Sequence, residues 1–391
     1  MNARPILPGI TLMGAVDWDR RLFDSLIPLP DGTSYNAYLV RGSEKTVLLD
    51  TVDPSKVDVL MAQLDAVDRL DYLVAHHAEQ DHSGSIPLVL ARYPEAVLVT
   101  DPKAKELLQE HLDIPDARFR TVADGETLSL GDRTLRFIYL PWVHWPETMG
   151  TYLEEDHILF SCDFFGSHRA QSGVFAERDA VMRGAKRYYA EIMMPFRGFV
   201  EKNLVKLEGL QIDMICPSHG PVYRDPSFIL EAYREWAGAP PRNTVVIPFV
   251  SMHGSTLIMV DRLTAALTDR GITVERFDLT SADIGDLAMS LVDAATVVVG
   301  TPAVLTGPHP RTIEAAYLVG ALRPKVRFVS IIGSFGWGQR IVEVLGGLVA
   351  PLKAEILAPV FAKGLPRATD LAAVDALADT IAAKHREAGL K

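Results

Sequence analysis

The densest concentration of metal-ligand side chains in the chain is the run His77-Ala78-Glu79-Gln80-Asp81-His82-Ser83-Gly84. It follows a short apolar stretch, Asp71-Tyr72-Leu73-Val74-Ala75, that reads as a buried strand. In an extended segment, side chains two apart point the same way, so His77 and Glu79 can reach one metal together. A turn at Gln80 sends Asp81 and His82 towards a second metal. Ser83 is placed to cap a helix beginning near Gly84. Three distant segments carry further ligand types: His144 in Trp142-Val143-His144-Trp145-Pro146, Asp163 in Ser161-Cys162-Asp163-Phe164-Phe165-Gly166, and His219 in Pro217-Ser218-His219-Gly220. A lone histidine is usually an ordinary surface or core residue. Seven ligands, one of them a bridging carboxylate, instead suit two metals a few Å apart, each with a position open to substrate. His76, His111, His157, His309 and His385 are expected to be surface or loop residues; for His168 the same reading stands, with a supporting role near Asp163 as the alternative.

A second set of residues is suited to an anion. Ser251-Met252-His253-Gly254-Ser255-Thr256 lies between an apolar strand at 244–250 and a helix-like stretch at about 255–269. Backbone N–H groups at such a junction point at an anion, and the helix dipole favours negative charge. Taken alone the word is an ordinary capped turn, so its position in the fold decides. No lysine follows Thr256, which disfavours a P-loop nucleotide triphosphatase. Two more strand ends carry small and aromatic residues, Gly300-Thr301-Pro302-Ala303-Val304-Leu305 and Gly333-Ser334-Phe335-Gly336-Trp337-Gly338.

The elements around these residues divide into two patterns. Up to residue 237, short β runs at 46–50, 71–75, 96–100, 127–140 and 149–161 mix with helices, and Gly131-Asp132 marks a turn. From 176 to 237 the chain is mostly helical, interrupted by Met214-Ile215-Cys216-Pro217-Ser218-His219-Gly220. Gly238-Ala239-Pro240-Pro241-Arg242-Asn243 then punctuates it, because Pro-Pro cannot continue a helix. This places one domain at 1–240 and a second at 244–391. In the second, strands at 244–250, 272–277, 295–300, 326–332 and about 354–358 alternate with helices at about 255–269, 281–292, 310–321, 338–349 and 368–387. Strict β/α alternation indicates a doubly wound parallel sheet. Five strands suggest the order 2-1-3-4-5, with a ligand at the carboxyl edge beside the switch point. That is where flavodoxins hold FMN, so the cradle is read as an FMN site with Phe335 and Trp337 as a wall against the ring.

Composition narrows the class. The 391 residues are 48% hydrophobic and 23% charged, a globular composition, and the net charge of -11 argues against a nucleic-acid partner. No apolar run is long enough to span a bilayer, and the amino-terminal residues lack a signal peptide's apolar core. The two cysteines, Cys162 and Cys216, cannot build a four-thiolate iron site. A cytoplasmic location with reduced thiols is expected.

The ordered ligands His-x-Glu-x-Asp-His, then His, Asp and His, resemble the metallo-β-lactamase superfamily and, within it, the flavodiiron proteins, also called A-type flavoproteins. The words Gly32-Thr33-Ser34-Tyr35-Asn36, Leu49-Asp50-Thr51-Val52, His144-Trp145-Pro146, Tyr188-Tyr189-Ala190 and Leu322-Arg323-Pro324-Lys325 extend the similarity over nearly the whole chain. The resemblance implies an α/β protein: an αββα metallo-β-lactamase-like sandwich followed by a flavodoxin-like doubly wound five-stranded sheet. It also implies that His77, Glu79 and His144 hold one iron, that Asp81, His82 and His219 hold the other, and that Asp163 bridges them. Zinc hydrolases of the superfamily usually have histidine where Glu79 stands. A carboxylate there makes the site harder and suits iron. The expected activity is reduction of O2 to water, of NO to N2O, or of both. FMN would relay electrons from an external donor, a rubredoxin-like protein or a reduced deazaflavin. The resemblance also implies a homodimer or a dimer of dimers in which the FMN of one subunit meets the irons of its partner. The chain departs from the family at His253, Ala303 and Leu305, where Tyr, Thr and Asn are common. Two rival readings are a metal-dependent hydrolase carrying an electron-transfer flavodoxin domain, and a non-catalytic electron-transfer or sensor protein.

Overall fold

A computed structural model describes residues 2–338 and 340–390. The chain forms two compact units, residues 1–237 and 238–391. Among the described residues, no helix is long and apolar enough to cross a membrane.

The first unit is built on two sheets. The strands Arg4–Leu7, Ile10–Asp17, Thr33–Arg41, Thr46–Leu49, Tyr72–Val74, Val97–Thr100 and Phe119–Thr121 form a seven-stranded sheet in that order. Thr127–Ser129, Thr134–Tyr139, Met149–Leu153, Ile158–Cys162 and Met214–Pro217 form the five-stranded one. The strict alternation of side chains along a strand gives the larger sheet two apolar faces. Val47, Leu49, Val74 and Val99 pack with Phe137, Met149, Ile158 and Phe160 of the other sheet. Their neighbours Leu48, Leu73 and Leu98 turn the other way and pack with Leu60, Leu64, Val89 and Leu108 from the helices Val57–Leu64, Ile86–Arg92 and Pro102–His111. The first three strands of the larger sheet and a two-stranded ribbon, Leu22–Phe23 with Ile27–Pro28, lie between residues 4 and 41, where the sequence patterning predicts no element.

The second unit holds the parallel sheet in the order Thr273–Asp278, Arg242–Phe249, Ala294–Val304, Phe328–Phe335, Glu355–Ile356, which is 2-1-3-4-5. The intervening helices are Ser255–Thr268, Ile284–Leu291, Pro310–Leu322, Ile341–Val349 and Ala368–Glu387. The last strand differs from the single run expected at 354–358. It is split into Glu355–Ile356 and Val360–Lys363, both pairing with Phe328–Phe335. Pro359 lies between them, and a residue without an N–H cannot continue the ladder.

Candidate metal centre and flavin cleft

Every ligand segment leaves a strand end of the first unit. His77-Ala78-Glu79 follows Tyr72–Val74, Asp163 follows Ile158–Cys162, His219 follows Met214–Pro217, and His144 lies in the connection between Thr134–Tyr139 and Met149–Leu153. Asp50, Trp142, Cys162 and Phe165, none of them glycine, hold positive φ beside these segments. Such backbone is sparsely populated and persists where the surroundings impose it. Gln80–Ser83 forms one helical turn, which carries Asp81 and His82 away from Glu79. Ser83 does not cap a following helix as the sequence suggests. Its hydroxyl donates to the Ala78 carbonyl at 2.8 Å, and the next helix starts at Ile86.

The seven side chains meet in two groups. In the first, His77 Nε2 lies 3.1 Å from Glu79 Oε2 and 3.5 Å from Asp163 Oδ2, and His144 Nε2 lies 3.2 and 3.4 Å from the same two oxygens. In the second, His82 Nε2 lies 3.3 Å from Asp81 Oδ1 and 3.1 Å from Asp163 Oδ1. His219 Nε2 lies 3.2 Å from Asp81 Oδ2 and 3.2 Å from Asp163 Oδ1. Asp163 therefore turns one carboxylate oxygen to each group.

The donor set fits a pair of cations. Apart from these approaches within the cluster, both oxygens of Asp81 and of Asp163 and both ring nitrogens of His82 are buried with no hydrogen-bond partner among the described residues. Such orphaned buried polar groups are costly and need an explanation. His77 gives its Nδ1–H to Glu147 at 2.8 Å, and His219 gives its own to the Ser34 carbonyl at 2.8 Å. Each neutral ring then aims its Nε2 lone pair at carboxylate oxygens, an arrangement that calls for a positive charge between them. Protons can supply it. Burial lowers the His77 imidazole, but hydrogen bonds to Glu147 and Glu79 and the charge of Asp163 outweigh it and hold the ring well above its usual range. His144, lowered by burial and raised more by Asp163 and Glu79, is pushed up to about 9. Burial raises Asp163, yet the charge of His82 and the close imidazole nitrogens of His144, His219 and His82 hold it well below the usual carboxylate range. A metal ion takes the place of those protons.

Several supporting residues escaped the sequence reading. Glu147 is one. His76 is another: expected at the surface or in a loop, it is buried, with Nδ1 donating to Asp50 Oδ2 at 2.6 Å and Nε2 bonded to Thr151 Oγ1 at 2.7 Å. His385, placed in the same class, is buried in the second unit between Thr296 Oγ1 at 2.6 Å and Asn243 Oδ1 at 2.8 Å. His168 packs on His219 with ring centroids 5.0 Å apart, and its Nδ1 meets Thr33 Oγ1 at 2.9 Å. Burial and the neighbouring charge of His219 push its imidazole well below the usual range.

In the second unit a cleft of about 280 Å³ opens at the carboxyl edge of the sheet. Of the residues expected there, Ser251, Met252, His253, Ser255, Thr256, Pro302, Ala303, Ser334, Phe335, Gly336 and Trp337 line it. Gly254, Thr301, Val304 and Gly338 do not, and Gly364, not foreseen, does. Gly254 precedes the helix Ser255–Thr268 with φ of 88°, a left-handed conformation that glycine adopts without penalty. Thr301 sits beneath the cleft, sharing a hydrogen bond with Thr312 and accepting one from the His309 N–H. Ser251 Oγ accepts from the Leu257 N–H, and Thr256 Oγ1 is tied to Ser334 Oγ at 3.0 Å. The N–H groups of the first helical turn have no carbonyl partners within the helix, and no acidic side chain lines the cleft among the described residues. Both facts fit a phosphate. Phe335 is half-buried, whereas Trp337 is 78% exposed. Leu305 and Thr306 form the tip of a hairpin between Ala294–Val304 and Gly307–Pro308, with φ of 49° and 68°.

Comparison with known proteins gives the class. The profile of the ODP family beta lactamase matches residues 33–220. A nitric oxide reductase of Moorella thermoacetica is 35% identical over 391 residues, 97% of this chain and 98% of that one. A rubredoxin-oxygen oxidoreductase of Megalodesulfovibrio gigas is 34% identical over 98% of each chain. Among solved structures, the rubredoxin oxygen:oxidoreductase from Desulfovibrio gigas superposes with a TM-score of 0.94 at 31% identity, covering 98% of this chain and 99% of that one. The flavodiiron protein from Giardia intestinalis gives a TM-score of 0.90 at 27% identity, covering 100% and 99%. The chain belongs to the flavodiiron protein family, with the metallo-β-lactamase-like and flavodoxin-like folds of that family.

Proposed function

We propose that the protein is an oxidoreductase that reduces O2 to water, NO to N2O, or both, at a di-iron site in residues 1–240, with FMN bound in residues 244–391. The observation that carries this reading is the shared Asp163: one oxygen faces His77 and His144, the other His82 and His219. His77, Glu79 and His144 would hold one iron, and Asp81, His82 and His219 the other, with Asp163 between them. When bound, two ferrous ions supply a place and electrons for a diatomic molecule, and FMN relays electrons from a carrier. The balance is O2 with four electrons and four protons giving two waters, or two NO with two electrons and two protons giving N2O and water. The chain's own residues fix the ligands and limit water. Phe23, His168 and Tyr188 wall His219 on one side, with ring centroids 6.1, 5.0 and 5.9 Å from it. The first turn of Ser255–Thr268 and the hydroxyls of Ser251 and Thr256 would take the FMN phosphate.

The electron donor is read as external, because two cysteines cannot form a rubredoxin centre. The relatives' names point to rubredoxin in one case and to reduced coenzyme F420 in another. The cysteines are free and buried, which agrees with a cytoplasmic location. The active unit is read as a head-to-tail dimer, or a dimer of such dimers, in which FMN of one subunit serves the irons of the other. The exposed apolar residues Met252, Leu305 and Trp337 near the cleft, and Trp18, Leu22 and Trp142 on the first unit, agree with it. Mixing Asp163→Ala with Gly254→Val subunits tests this. Activity should return when subunits exchange, and a dead mixture in which mixed dimers are shown to form rules out transfer between subunits.

A further inference from the structure

The two metal positions are supported unequally. Glu147 has a fully buried side chain, and its Oε1 accepts from His77 Nδ1 at 2.8 Å and from the Ala78 N–H at 3.1 Å. One carboxylate thus fixes both the ring of a ligand and the backbone that carries Glu79. It stands three residues after His144, so the segment 144–147 supplies one ligand of this position and the anchor of another. Trp145 closes the arrangement, with its ring set edge-on to His77 at 4.9 Å and 87°. The position built from Asp81, His82 and His219 has weaker support. His219 is held by a neutral carbonyl, that of Ser34. His82 turns its Nε2 to Asp81 and Asp163, and its Nδ1 is buried with no hydrogen-bond partner among the described residues. A carboxylate behind an imidazole orients the ring and makes its other nitrogen a stronger donor than a carbonyl does. A ligand with no anchor must be ordered by the ion itself, which weakens binding.

We propose that Glu147 is a positioning residue that makes the two metal positions unequal: it secures the ion at His77, Glu79 and His144, and the ion at Asp81, His82 and His219 leaves first. The proposal rests on the di-iron reading, and metal content tells the two apart. A chain that never holds two irons sinks both, before any chelator is added. The test is anaerobic extraction of ferrous iron from the reduced holoprotein by a coloured chelator, followed in time. Wild type should release iron in two phases of one ion per chain each. Glu147→Gln should speed the slow phase by about 10–100-fold, the usual effect of removing such a support, and leave the fast phase and the FMN content unchanged. A merely structural defect would speed both phases together and lower the melting temperature. A single phase carrying both ions in wild type overturns the proposal, as does a Glu147→Gln protein in which both phases change alike or neither changes. Asp81→Asn gives an independent check if Glu147→Gln does not fold. It should abolish the fast phase and keep the slow one, and the reverse result contradicts the assignment.

Discussion

Around Asp163 the contacts are made by buried side chains drawn from distant segments, whereas around Gly254 they are made by backbone at a strand-to-helix turn with exposed residues beside it. The candidate metal centre brings together seven side chains from four chain segments, and two of its imidazoles are held from behind, His77 by Glu147 and His219 by the Ser34 carbonyl. The candidate flavin cleft offers N–H groups that any sequence of the right conformation supplies, and exposed apolar side chains lie at or near it, Trp337 in its lining and Leu305, 93% exposed, on the neighbouring hairpin. The difference explains where this chain can depart from its relatives. The resemblance implies all seven ligand types, whereas His253, Ala303 and Leu305 stand where it implies Tyr, Thr and Asn. A ligand cannot be exchanged without losing a bond to the ion. A side chain at the mouth of a backbone cradle can change with less consequence.

Substitutions at the two sites should therefore separate cleanly. Asp163→Ala removes the one side chain common to both groups. Changes one shell further out at metal sites already cost about 10–100-fold, so activity should fall below about one hundredth of wild type. Iron should be lost from both positions, with FMN retained, as metal and flavin analysis will show. Gly254→Val acts on the backbone. A Cβ there meets no atom of the chain within 4 Å, so the effect comes from forcing a β-branched residue to φ of 88°. That strain is of order 1–3 kcal/mol, and FMN affinity should fall by about 10–100-fold with iron content unchanged, measured by flavin fluorescence titration.

A smaller contrast lies within the flavodoxin-like unit. His385 is buried, and burial lowers its imidazole to about 4. Its folded value lies below the unfolded one, so the unfolded chain binds the extra proton between about pH 6.5 and 4. Stability should be full above pH 6.5 and fall as the pH drops towards 4. Melting curves of wild type and His385→Gln should differ in slope across that window. Equal slopes would mean that His385 does not govern it. Leu305→Asn should have the smallest effect. Asparagine tolerates a left-handed backbone better than leucine, so the hairpin tip should gain about 0.5–1 kcal/mol, read as a higher melting temperature.

The same contrast sets how much the sequence disclosed. The candidate ligands His77, Glu79, Asp81, His82, His144, Asp163 and His219 stand out because their types are unusual together and follow apolar strands. The five-strand alternation after residue 244 is visible because each strand is short, apolar and bounded by a helix. Glu147 is not visible, since a glutamate after Trp-Pro looks like any surface residue until the loop folds under His77. His76 and His385 are hidden for the same reason: their partners Asp50, Thr151, Thr296 and Asn243 come from distant strands. The inner wall of the cleft is blurred because Thr301, within a word rich in small residues, turns inward to Thr312 and His309, whereas Gly364 comes from beyond a strand that Pro359 splits. Long-range side-chain partnership is what a single sequence leaves out.

The central claim is that a di-iron site in the first unit consumes electrons held by FMN in the second. Its most direct test is rapid mixing of the anaerobically reduced protein with O2 and, separately, with NO, following flavin absorbance in wild type and Asp163→Ala. The account predicts two irons and one FMN per wild-type chain. It also predicts rapid flavin reoxidation by O2, NO or both, and a flavin that stays reduced far longer in Asp163→Ala. Equal reoxidation rates in the two proteins, or two zinc ions in wild type prepared with ample iron, would contradict it.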